Sequence, residues 1–521
     1  MKSSKREGNL CIPCFNEIRW SSDSPMEMKH PYHPPHSLSL LHPHSDYDYE
    51  TSEVCSCCGD NLGRGCAYHC PLCSFFMHLR CAEKPPVLEV AQPKSHGHKL
   101  VLLPKPRPFT CDACGLLLDG PTLPWACLEC GVMFHRECID LPRVIRISRH
   151  PQHRLCYVPS PPSPAHEPSW SCGVCRKVVD NPYGAYSCIK GCDYVAHSKC
   201  ATRGDVWDGA DLEGVPEEAE DVEDPFEVID DKVIHHFSHE HHLKLNEDDD
   251  TSFDGSKHCQ ACALPIRIHL GNTYRCMQFD CEFILHQTCA NLSRKIWYML
   301  HPHRLELQAS SETGIKRCDI CPRLCSGFIY KCCKDDCPFK VHVNYASVAE
   351  PFIHISHPHP LFSTSISMSG KTCSGCRQNL YNHKLECIEC DFVLCLRCLT
   401  LPPKVRYGQD RHPLVLRGGE DVSGGSWWCE ICERKMDTEV IFYACDSCCV
   451  TVHVDCMLGR DPLIKPGQYS DPWLKEFEVA ANNRCFRPLC ARCRDRCPFP
   501  IFFKRNDHHF CSSHCLDKIR T

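Results

Sequence analysis

The sequence contains no run of about 18 consecutive apolar residues, the length that a membrane-spanning helix requires. Its first residues, MKSSKREGNL, are polar and charged and lead into no apolar segment, so the pattern of a secretory signal peptide is missing as well. We therefore expect neither a transmembrane segment nor a signal peptide, and a location in the cytoplasm, the nucleus or both. Thiols stay reduced in these compartments.

Cysteine and histidine are, by contrast, abundant: the 521 residues include 49 Cys and 34 His, and Cys alone exceeds 9%. Such a cysteine fraction indicates either a disulfide framework or a metal framework. Because reducing compartments disfavour disulfides, and because many cysteines form C-x2-C pairs close to histidines, the sequence favours zinc as the cofactor.

The formal net charge of −7 conceals an uneven distribution. Residues 205–254 hold 19 Asp or Glu and two Lys, which gives this stretch −17 and leaves +10 on the rest of the chain. The run EGVPEEAEDVEDPFEVIDD has few large apolar side chains to offset its ordering entropy, so 205–235 is predicted to be an acidic disordered linker. Basic residues elsewhere are dispersed and no recognition helix is evident, which argues against specific nucleic-acid binding.

One pattern recurs seven times. It reads H-x(1,2)-H-x-L, a variable loop, C-x2-C, ten to thirteen residues, C-x(2,4)-C, four residues and H-x2-C. We call the copies repeats one to seven, and their two cysteine pairs the first and second knuckle. The predicted organisation is an N-terminal segment with a lone C-x2-C at 1–32, repeats at 33–95, 96–149, 150–204, 236–300, 301–356, 357–409 and 410–460, the linker at 205–235, and a Cys-rich C-terminal segment at 461–521.

A repeat of this length buries little apolar surface, so another interaction must stabilise it. A structural zinc site contributes on the order of 10 to 16 kcal/mol at neutral pH, comparable to the folding free energy of a small domain. We therefore predict small α+β zinc-stabilised modules in a tandem array. Each would contain two short hairpins and one short helix at H-x2-C.

Each ligand pair is expected to act as a unit, because a knuckle directs both sulfurs at one ion and H-x2-C places its ligands on one helix face. Three such pairs and the histidines of a repeat suffice for two tetrahedral sites. The pairs combine either in a crossed order or sequentially, as one four-cysteine and one His/Cys site. Spacing alone does not choose between these orders.

The ligand order, with openings such as HPPHSL, HPQHRL and HPHPL, resembles the cysteine/histidine-rich divergent C1 (DC1) domain proteins of plants over residues 33–456. These are relatives of the diacylglycerol-binding module of protein kinase C. The resemblance implies C1-like or PHD-like treble clefs, cross-braced, with two zinc ions each. The first knuckle would join H-x2-C, and the second knuckle would join a preceding and a following ligand.

In repeat two this resemblance implies one site with Cys111, Cys114, His135 and Cys138, and a second with His98, Cys127, Cys130 and His150. His150 would close repeat two while His153 opens repeat three. The resulting set of metal ligands, for about two zinc ions per repeat, is His36, Cys55, Cys58, Cys70, Cys73, His78, Cys81, His96, His98, Cys111, Cys114, Cys127, Cys130, His135, Cys138, His150, His153, Cys172, Cys175, Cys188, Cys192, His197, Cys200, His239, His241, Cys259, Cys262, Cys276, Cys281, His286, Cys289, His301, His303, Cys318, Cys321, Cys332, Cys337, His342, His357, His359, Cys373, Cys376, Cys387, Cys390, Cys395, Cys398, Asp410, His412, Cys429, Cys432, Cys445, Cys448, His453, Cys456, Cys490, Cys493, Cys511 and Cys515.

Several positions depart from the pattern. Cys395 stands where other repeats have His, and Asp410 stands where a closing His is expected, as either a zinc ligand or a solvated side chain. Tyr345 replaces the last Cys of repeat five, which leaves either a degenerate site or one completed by Cys325.

The two ends of the chain also depart from the repeat pattern. Cys11 and Cys14 have no evident partner. The C-terminal cysteines either form their own site, with Cys497 and His514 as further candidates, or close repeat seven as in a PHD finger.

Three functions are compatible with these features. The first is a zinc-binding interaction or signalling protein without catalytic activity, whose variable loops recognise other proteins. The second is binding of a diacylglycerol-type lipid messenger, which the absence of a Gln-Gly pair before the second knuckles disfavours. The third is a protein-disulfide reductase, suggested by WSCGVC and WWCEIC but not supported by a surrounding βαβ pattern.

Overall fold

The structure is a computed structural model that describes most of the chain. The described residues are 24–41, 55–57, 61–62, 66–73, 75–83, 87–103, 107–118, 123–162, 169–217, 223–247, 257–268, 270–309, 314–321, 323–364, 370–380, 383–418, 427–482 and 487–518. They fall into two compact units, one up to Pro216 and one from Glu217 onward. Within the described residues, no helix combines the length and apolar character needed to cross a membrane.

Short strands with alternating burial form the repeats. In Arg304–Gln308 the side chains of Leu305 and Leu307 are buried, whereas the three polar residues around them are partly exposed. This period of two buries one face of an antiparallel sheet and leaves the other face in contact with solvent. Leu414–Arg417 shows the same alternation.

In the first unit, each of three repeats contains a four-stranded antiparallel sheet, whose first strand lies before the predicted start of the repeat. A small two-stranded sheet in repeats two and three carries the first knuckle. Repeat one has strands Glu27–His30, His33–Leu41, Ala67–His69 and Phe76–His78 and helix Leu79–Ala82. Repeat two has strands Glu89–Val90, Leu100–Leu102, Phe109–Thr110, Leu117–Leu118, Trp125–Ala126 and Met133–Phe134 and 3-10 helix Arg136–Cys138. Repeat three has strands Val144–Ile147, His150–Val158, Trp170–Ser171, Val178–Val179, Ala185–Cys188 and Val195–His197 and helix Ser198–Ala201.

The second unit contains four further repeats, whose main sheets have five, four, three and four strands, and a related C-terminal module. Repeat four has strands Phe226–Asp230, Val233–His236, Leu243–Asn246, Thr273–Cys276 and Ile284–His286, 3-10 helix Ile266–Ile268 and helix Gln287–Ala290. Repeat five has strands Lys295–Trp297, Arg304–Gln308, Lys316–Arg317, Leu324–Cys325, Ile329–Cys332 and Lys340–His342 and helix Val343–Ala346. Repeat six has strands Leu361–Phe362, Lys384–Cys387 and Val393–Cys395 and helix Leu396–Leu399.

Repeat seven and the C-terminal module complete the second unit, each with one four-stranded sheet. Repeat seven has strands Lys404–Val405, Leu414–Arg417, Phe442–Cys445 and Val450–His453 and helix Val454–Leu458. The C-terminal module has strands Gly467–Asp471, Lys475–Ala481, Ile501–Arg505 and His508–Phe510 and helix Ser513–Asp517.

The predicted fold class is therefore confirmed: these are small, sheet-rich modules with few helices. A short helix or 3-10 turn begins directly after the histidine of H-x2-C in each repeat that has one, for example after His135, His197 and His286. The two predicted hairpins of a repeat are joined edge to edge into one sheet in most repeats.

The predicted disordered linker is wrong for the residues that the structure describes within 205–235. Val206 is buried in the core of repeats two and three, and the Arg154 guanidinium donates to the carbonyl of Pro216 at 2.7 Å. Phe226–Asp230 and Val233–His236 form the first hairpin of the repeat-four sheet. Backbone pairing with an existing sheet orders this acidic segment, although it has few apolar side chains of its own to bury.

Neighbouring repeats pack in pairs through one recurring backbone contact. In each pair, one residue of the later repeat donates its N–H to a carbonyl in the first knuckle of the earlier repeat. This residue stands just before the third strand of the main sheet. The three bonds, each 2.8 Å, are Gly184 to Asp112, Phe328 to Ala261 and Ile441 to Gly375. They join repeats two and three, four and five, and six and seven, and their side chains share continuous hydrophobic cores.

Gly327 allows the close approach at the junction of repeats four and five. A Cβ atom at this position would lie 2.1 Å from the carbonyl oxygen of Ala261. We predict that Gly327→Ala separates the two repeats and destabilises the second unit by about 1 to 3 kcal/mol, the usual cost of overpacking. The shift in the denaturation midpoint measures this effect.

The matched control is Gly408→Ala, because nothing lies within 4 Å of the added Cβ there. This control should change the free energy of unfolding by less than about 0.5 kcal/mol. Equal effects of the two substitutions would contradict the importance of the junction.

Candidate metal centres

Two clusters of metal-binding side chains recur in the repeats. We call the first the inner cluster; it joins the first knuckle to the H-x2-C pair. The second, the outer cluster, joins the two opening histidines to the second knuckle. Fifteen groups of candidate ligands occur among the described residues, and within each group the ligand atoms lie within 4.8 Å of one another. Five of these groups are His33, His36, Cys70 and Cys73; His96, His98, Cys127 and Cys130; Cys111, Cys114, His135 and Cys138; His150, His153, Cys188 and Cys192; Cys172, Cys175, His197 and Cys200.

Local backbone geometry creates the inner cluster. The chain turns tightly through the first knuckle, where Gly115 donates its N–H to the carbonyl of Cys111 at 2.8 Å with a left-handed φ of 69°. The histidine of H-x2-C ends a strand in an extended conformation and caps the helical turn that follows, as His135 does with φ −67° and ψ 150°. One helical turn then brings Cys138 to the same side as His135.

The inner-cluster distances fit tetrahedral zinc. Zn–S bonds of about 2.3 Å and Zn–N bonds of about 2.0 to 2.1 Å place neighbouring ligands about 3.5 to 3.8 Å apart. The distances from thiol Sγ to imidazole Nδ1 are 3.5 Å for Cys114 and His135, 3.4 Å for Cys175 and His197, 3.4 Å for Cys262 and His286, and 3.3 Å for Cys432 and His453. No disulfide joins the cysteines of the described residues.

Without metal, each inner cluster shares its protons unevenly. Hydrogen bonds from Cys114 and Cys138 hold the pKa of Cys111 far below its usual range. Hydrogen bonds with Cys172 and Cys175 raise the pKa of His197 to about 10. Zinc binds thiolates and neutral imidazoles, so it must displace these protons, and acid will favour its release.

In the outer clusters, the two histidines use different ring nitrogens. The first histidine faces a thiol through Nε2, at 3.3 Å for His33 and Cys73, 3.4 Å for His150 and Cys188, 3.4 Å for His239 and Cys281, 3.6 Å for His301 and Cys337, and 3.5 Å for His357 and Cys390. The second histidine uses Nδ1, at 3.5 Å for His36 and Cys70, 3.1 Å for His153 and Cys192, and 3.5 Å for His303 and Cys332. His241 of repeat four lies beside His239, with 5.2 Å between ring centroids.

An aromatic ring orients the first histidine of most outer clusters. The paired rings stack with centroid distances of 4.5 Å for His33 and Phe75, 4.4 Å for His150 and Tyr194, 4.1 Å for His239 and Phe283, 4.0 Å for His301 and Phe339, and 4.1 Å for His357 and Phe392. Each aromatic residue follows the second knuckle by two positions. This spacing is a sequence signal that our ligand prediction did not use.

The ligand pairs combine in the crossed order, but the predicted use of a following histidine is wrong. His150 lies with His153, Cys188 and Cys192 of repeat three, and His98 shares its cluster with His96. His301 and His357 likewise lie beside the second histidines of their own repeats, five and six. Both histidines of a repeat lie at the start of one strand or just before it. That strand pairs with the strand before the second knuckle of the same repeat. Each repeat therefore supplies both of its clusters.

The first repeat differs slightly from the prediction. His33, absent from the predicted ligands, joins His36 in the outer cluster. Hydrogen bonds to Cys55 and Cys57 raise the pKa of Cys81, which places Cys57 in the inner cluster with Cys55 and Cys81. Its predicted ligand Cys58, and the pair Cys11 and Cys14, lie outside the described residues.

Comparison with known families agrees with this geometry. A C1 domain model matches residues 31–82, 94–139, 148–201, 237–290, 299–344, 355–399 and 409–457. The chain belongs to the C1 domain family. A second model, described as C1 domain-like, C-terminal, matches residues 477–516. No curated protein matches the chain, and no solved structure does. The resemblance to divergent C1 proteins is thus confirmed, and the C-terminal segment is a C1-like module as well.

Repeats one to seven are thus C1 modules one to seven. Asp410 lies in the outer cluster of module seven. Its side chain is 1% exposed and lies 3.6 Å from His412, whose Nδ1 is 3.2 Å from the Cys448 thiol. Its Oδ2 atom has no hydrogen-bond partner among the described residues. A hydrogen bond from Cys448 lowers the pKa of the carboxyl group. These features fit a metal ligand of module seven and contradict both a solvated side chain and a ligand that closes module six.

The inner cluster varies in two C1 modules. In module six, Cys395 lies 3.8 Å from Cys376, so four thiols replace three thiols and an imidazole. In module five, the Cys321 thiol lies 3.4 Å from Nε2 of His342, and the buried ring of Tyr345 packs against His342 at 3.9 Å. Cys325 belongs to a separate hydrophobic cluster with Ile329 and Leu463. It does not take the place of the missing cysteine.

The C-terminal module has a thiol cluster of its own. Sulfur atoms are 3.7 Å apart in Cys493 and Cys511 and 3.5 Å apart in Cys511 and Cys515, and Cys490 hydrogen-bonds with Cys493. Cys497 hydrogen-bonds with Cys511, whereas His514 is exposed. Cys490 and Cys493 therefore do not close module seven in the manner of a PHD finger.

We predict that the purified chain carries about two zinc ions per C1 module, one for each inner and outer cluster, except in module five, whose inner cluster lacks a fourth donor. Chelation should abolish the ordered structure, because zinc binding supplies most of the folding free energy of such modules. Elemental analysis and far-ultraviolet circular dichroism measure the two effects. A folded preparation without metal would contradict this prediction.

Substitution of Asp410 tests its assignment as a ligand. We predict that Asp410→Ala lowers the zinc content by about one ion per chain, whereas Asp410→His retains that ion because imidazole is an equivalent donor. The control Asp180→Ala removes an exposed carboxylate and should leave the zinc content unchanged. An unchanged zinc content in Asp410→Ala would show that Asp410 does not bind the metal.

Proposed function

We propose that this chain is a zinc-stabilised, multi-module interaction protein without catalytic activity of its own. Four protein donors complete the clusters of most modules, as in Cys111, Cys114, His135 and Cys138. Catalytic zinc keeps one coordination position open for water or substrate, whereas structural zinc is fully enclosed by protein ligands. The donor sets therefore support a structural role for the metal.

The observation that carries the interaction role is a recurring exposed apolar residue. In four C1 modules, the residue after the first cysteine of the second knuckle is apolar and exposed. These residues, with their exposed fractions, are Leu128 (76%), Ile189 (44%), Met277 (58%) and Ile388 (53%). In module one, Leu72 lies one position further along the knuckle and is 73% exposed. Single exposed apolar residues are common, but recurrence at one rigid position supports recognition of partner proteins.

Neighbouring charges favour a protein partner over a membrane. Glu129 follows Leu128, and Glu389 follows Ile388, and both glutamates are exposed. Anionic lipid surfaces repel carboxylates at such positions. We therefore place proteins ahead of lipid messengers as ligands of these knuckles.

Disulfide reductase activity receives little support from the same geometry. Cys172 and Cys175, the cysteines of WSCGVC, share an inner cluster with His197 and Cys200. The thiols of WWCEIC are equally engaged, since Cys432 lies 3.3 Å from His453. Thiolates held by zinc do not attack disulfides readily.

We predict that the double variant L128S/I388S recovers at least about fivefold less of each stable partner protein. This loss corresponds to roughly 1 kcal/mol of binding free energy. The tagged chain would be crosslinked in extracts of its native cells, and recovered proteins would be quantified by mass spectrometry. Zinc content should stay unchanged, because neither residue is a metal ligand.

The control V228S/I353S removes apolar side chains that are 67% and 68% exposed but lie outside the knuckles. Equal recovery of partners by both variants would refute the proposed binding position. Diacylglycerol-dependent sedimentation with lipid vesicles, reduced only in L128S/I388S, would instead assign the knuckles to lipid.

A further inference from the structure

The two clusters of a C1 module differ in their access to solvent. Among the described residues, no ligand of an inner cluster is exposed. By contrast, the last thiol of the outer cluster is exposed in five modules, namely Cys73, Cys130, Cys192, Cys390 and Cys448. The second imidazole is also accessible, with 48% of the His98 side chain and 55% of the His412 side chain exposed. A competing ligand can therefore reach the outer metal without prior unfolding.

The donor sets differ in the same direction. Inner clusters combine three thiols with one imidazole, except for four thiols in module six and two thiols with one imidazole in module five. Outer clusters combine two thiols with two imidazoles, and in module seven with one imidazole and one carboxylate. Each thiolate replaced by a neutral imidazole removes one negative charge from around the cation, so outer clusters attract zinc less strongly.

The clusters also differ in what they hold together. In module three, the opening histidines lie on strand His150–Val158, which already pairs with Ala185–Cys188 through four residue pairs. The outer metal thus joins two strands that the backbone has joined. The first knuckle lies between the strands of a separate two-stranded sheet, which one backbone hydrogen bond, from Gly173 to Val195 at 2.8 Å, joins to the main sheet. The inner metal adds a side-chain connection between these two sheets. Loss of the outer metal therefore requires less rearrangement than loss of the inner metal.

We infer that the outer clusters are the exchangeable zinc sites of this chain and that the inner clusters with four protein donors retain their metal. The inference rests on the proposed zinc binding and adds a function, the release of zinc to small chelating acceptors. In the exchange step, a donor atom of the acceptor forms a bond to zinc while the bond from zinc to the exposed thiolate breaks. The released thiolate takes a proton from water, and no electrons are transferred.

The structure also ranks the outer clusters. In modules four and five, the second knuckle is longer, and its last thiols, Cys281 and Cys337, are only partly exposed. These two modules should release their outer metal more slowly than the five with an exposed thiol. The ranking provides a comparison within a single chain.

The test follows zinc release from the intact, zinc-loaded chain after addition of EDTA, with iodoacetamide present to alkylate each thiol as its metal leaves. Peptide mass spectrometry then reports the labelling rate of individual cysteines. Exposed thiols react for reasons of access alone, so the informative comparison uses equally buried ones. Cys127 and Cys387 of outer clusters are 1% and 7% exposed, and Cys111 and Cys114 of an inner cluster are 0% and 6% exposed.

The expected result is release in two phases, with Cys127 and Cys387 alkylated at least about tenfold faster than Cys111 and Cys114. Cys130→Ser should weaken the outer cluster of module two. It should therefore raise the alkylation rate of Cys127 and leave the alkylation rate of Cys387 unchanged. Equal labelling rates for Cys127 and Cys111, or faster labelling of Cys111, would overturn the inference. A chain that carries no zinc at the outset would instead refute the proposed function.

Discussion

The convergence of four sulfur and nitrogen donors on one point is the interaction on which the architecture depends. Each C1 module has short strands and one short helix, so its apolar core alone is small. The three buried thiols of an inner cluster, such as Cys111, Cys114 and Cys138, repel one another when they ionise without a cation. Zinc turns this cost into the main stabilising contribution of the module.

Neighbouring modules are connected through their backbones and their cores. The recurring backbone bond between the first knuckle of one module and the third main strand of the next joins them in pairs, and the paired modules share one core. The inner cluster fixes the knuckle that accepts this bond. Metal coordination therefore stabilises the junction between modules as well as each module.

Internal variation among the modules shows which features depend on the metal. Where Asp410 replaces the first histidine, Val450 stands at the position of the stacking aromatic residue, as Val132 does in module two. Where Cys395 replaces a histidine, the inner cluster keeps its spacing with a different donor. Where Tyr345 replaces a cysteine, its aromatic ring packs against His342 within the cluster. Side chains around a cluster change together with its donors.

Much of this organisation was readable from the chain. The repeat, the fold class, the ligand pairs and the helical turn at H-x2-C all follow from spacing, because the geometry of residues three positions apart is local. The partners of each pair were harder to assign. His150 was predicted to close module two, yet it lies with Cys188 and Cys192 of module three. The acidic segment at 226–236 was predicted to be disordered, yet it forms a hairpin of module four. Both errors concern which strands become hydrogen-bonded neighbours. His150 begins a strand that pairs with Ala185–Cys188, a contact that no short spacing reports. The acidic hairpin is local in sequence, but it joins the sheet through Leu243–Asn246, whose other neighbour is Thr273–Cys276. Only the assembled sheet therefore reveals which donors share an ion and which segments gain order from a neighbour.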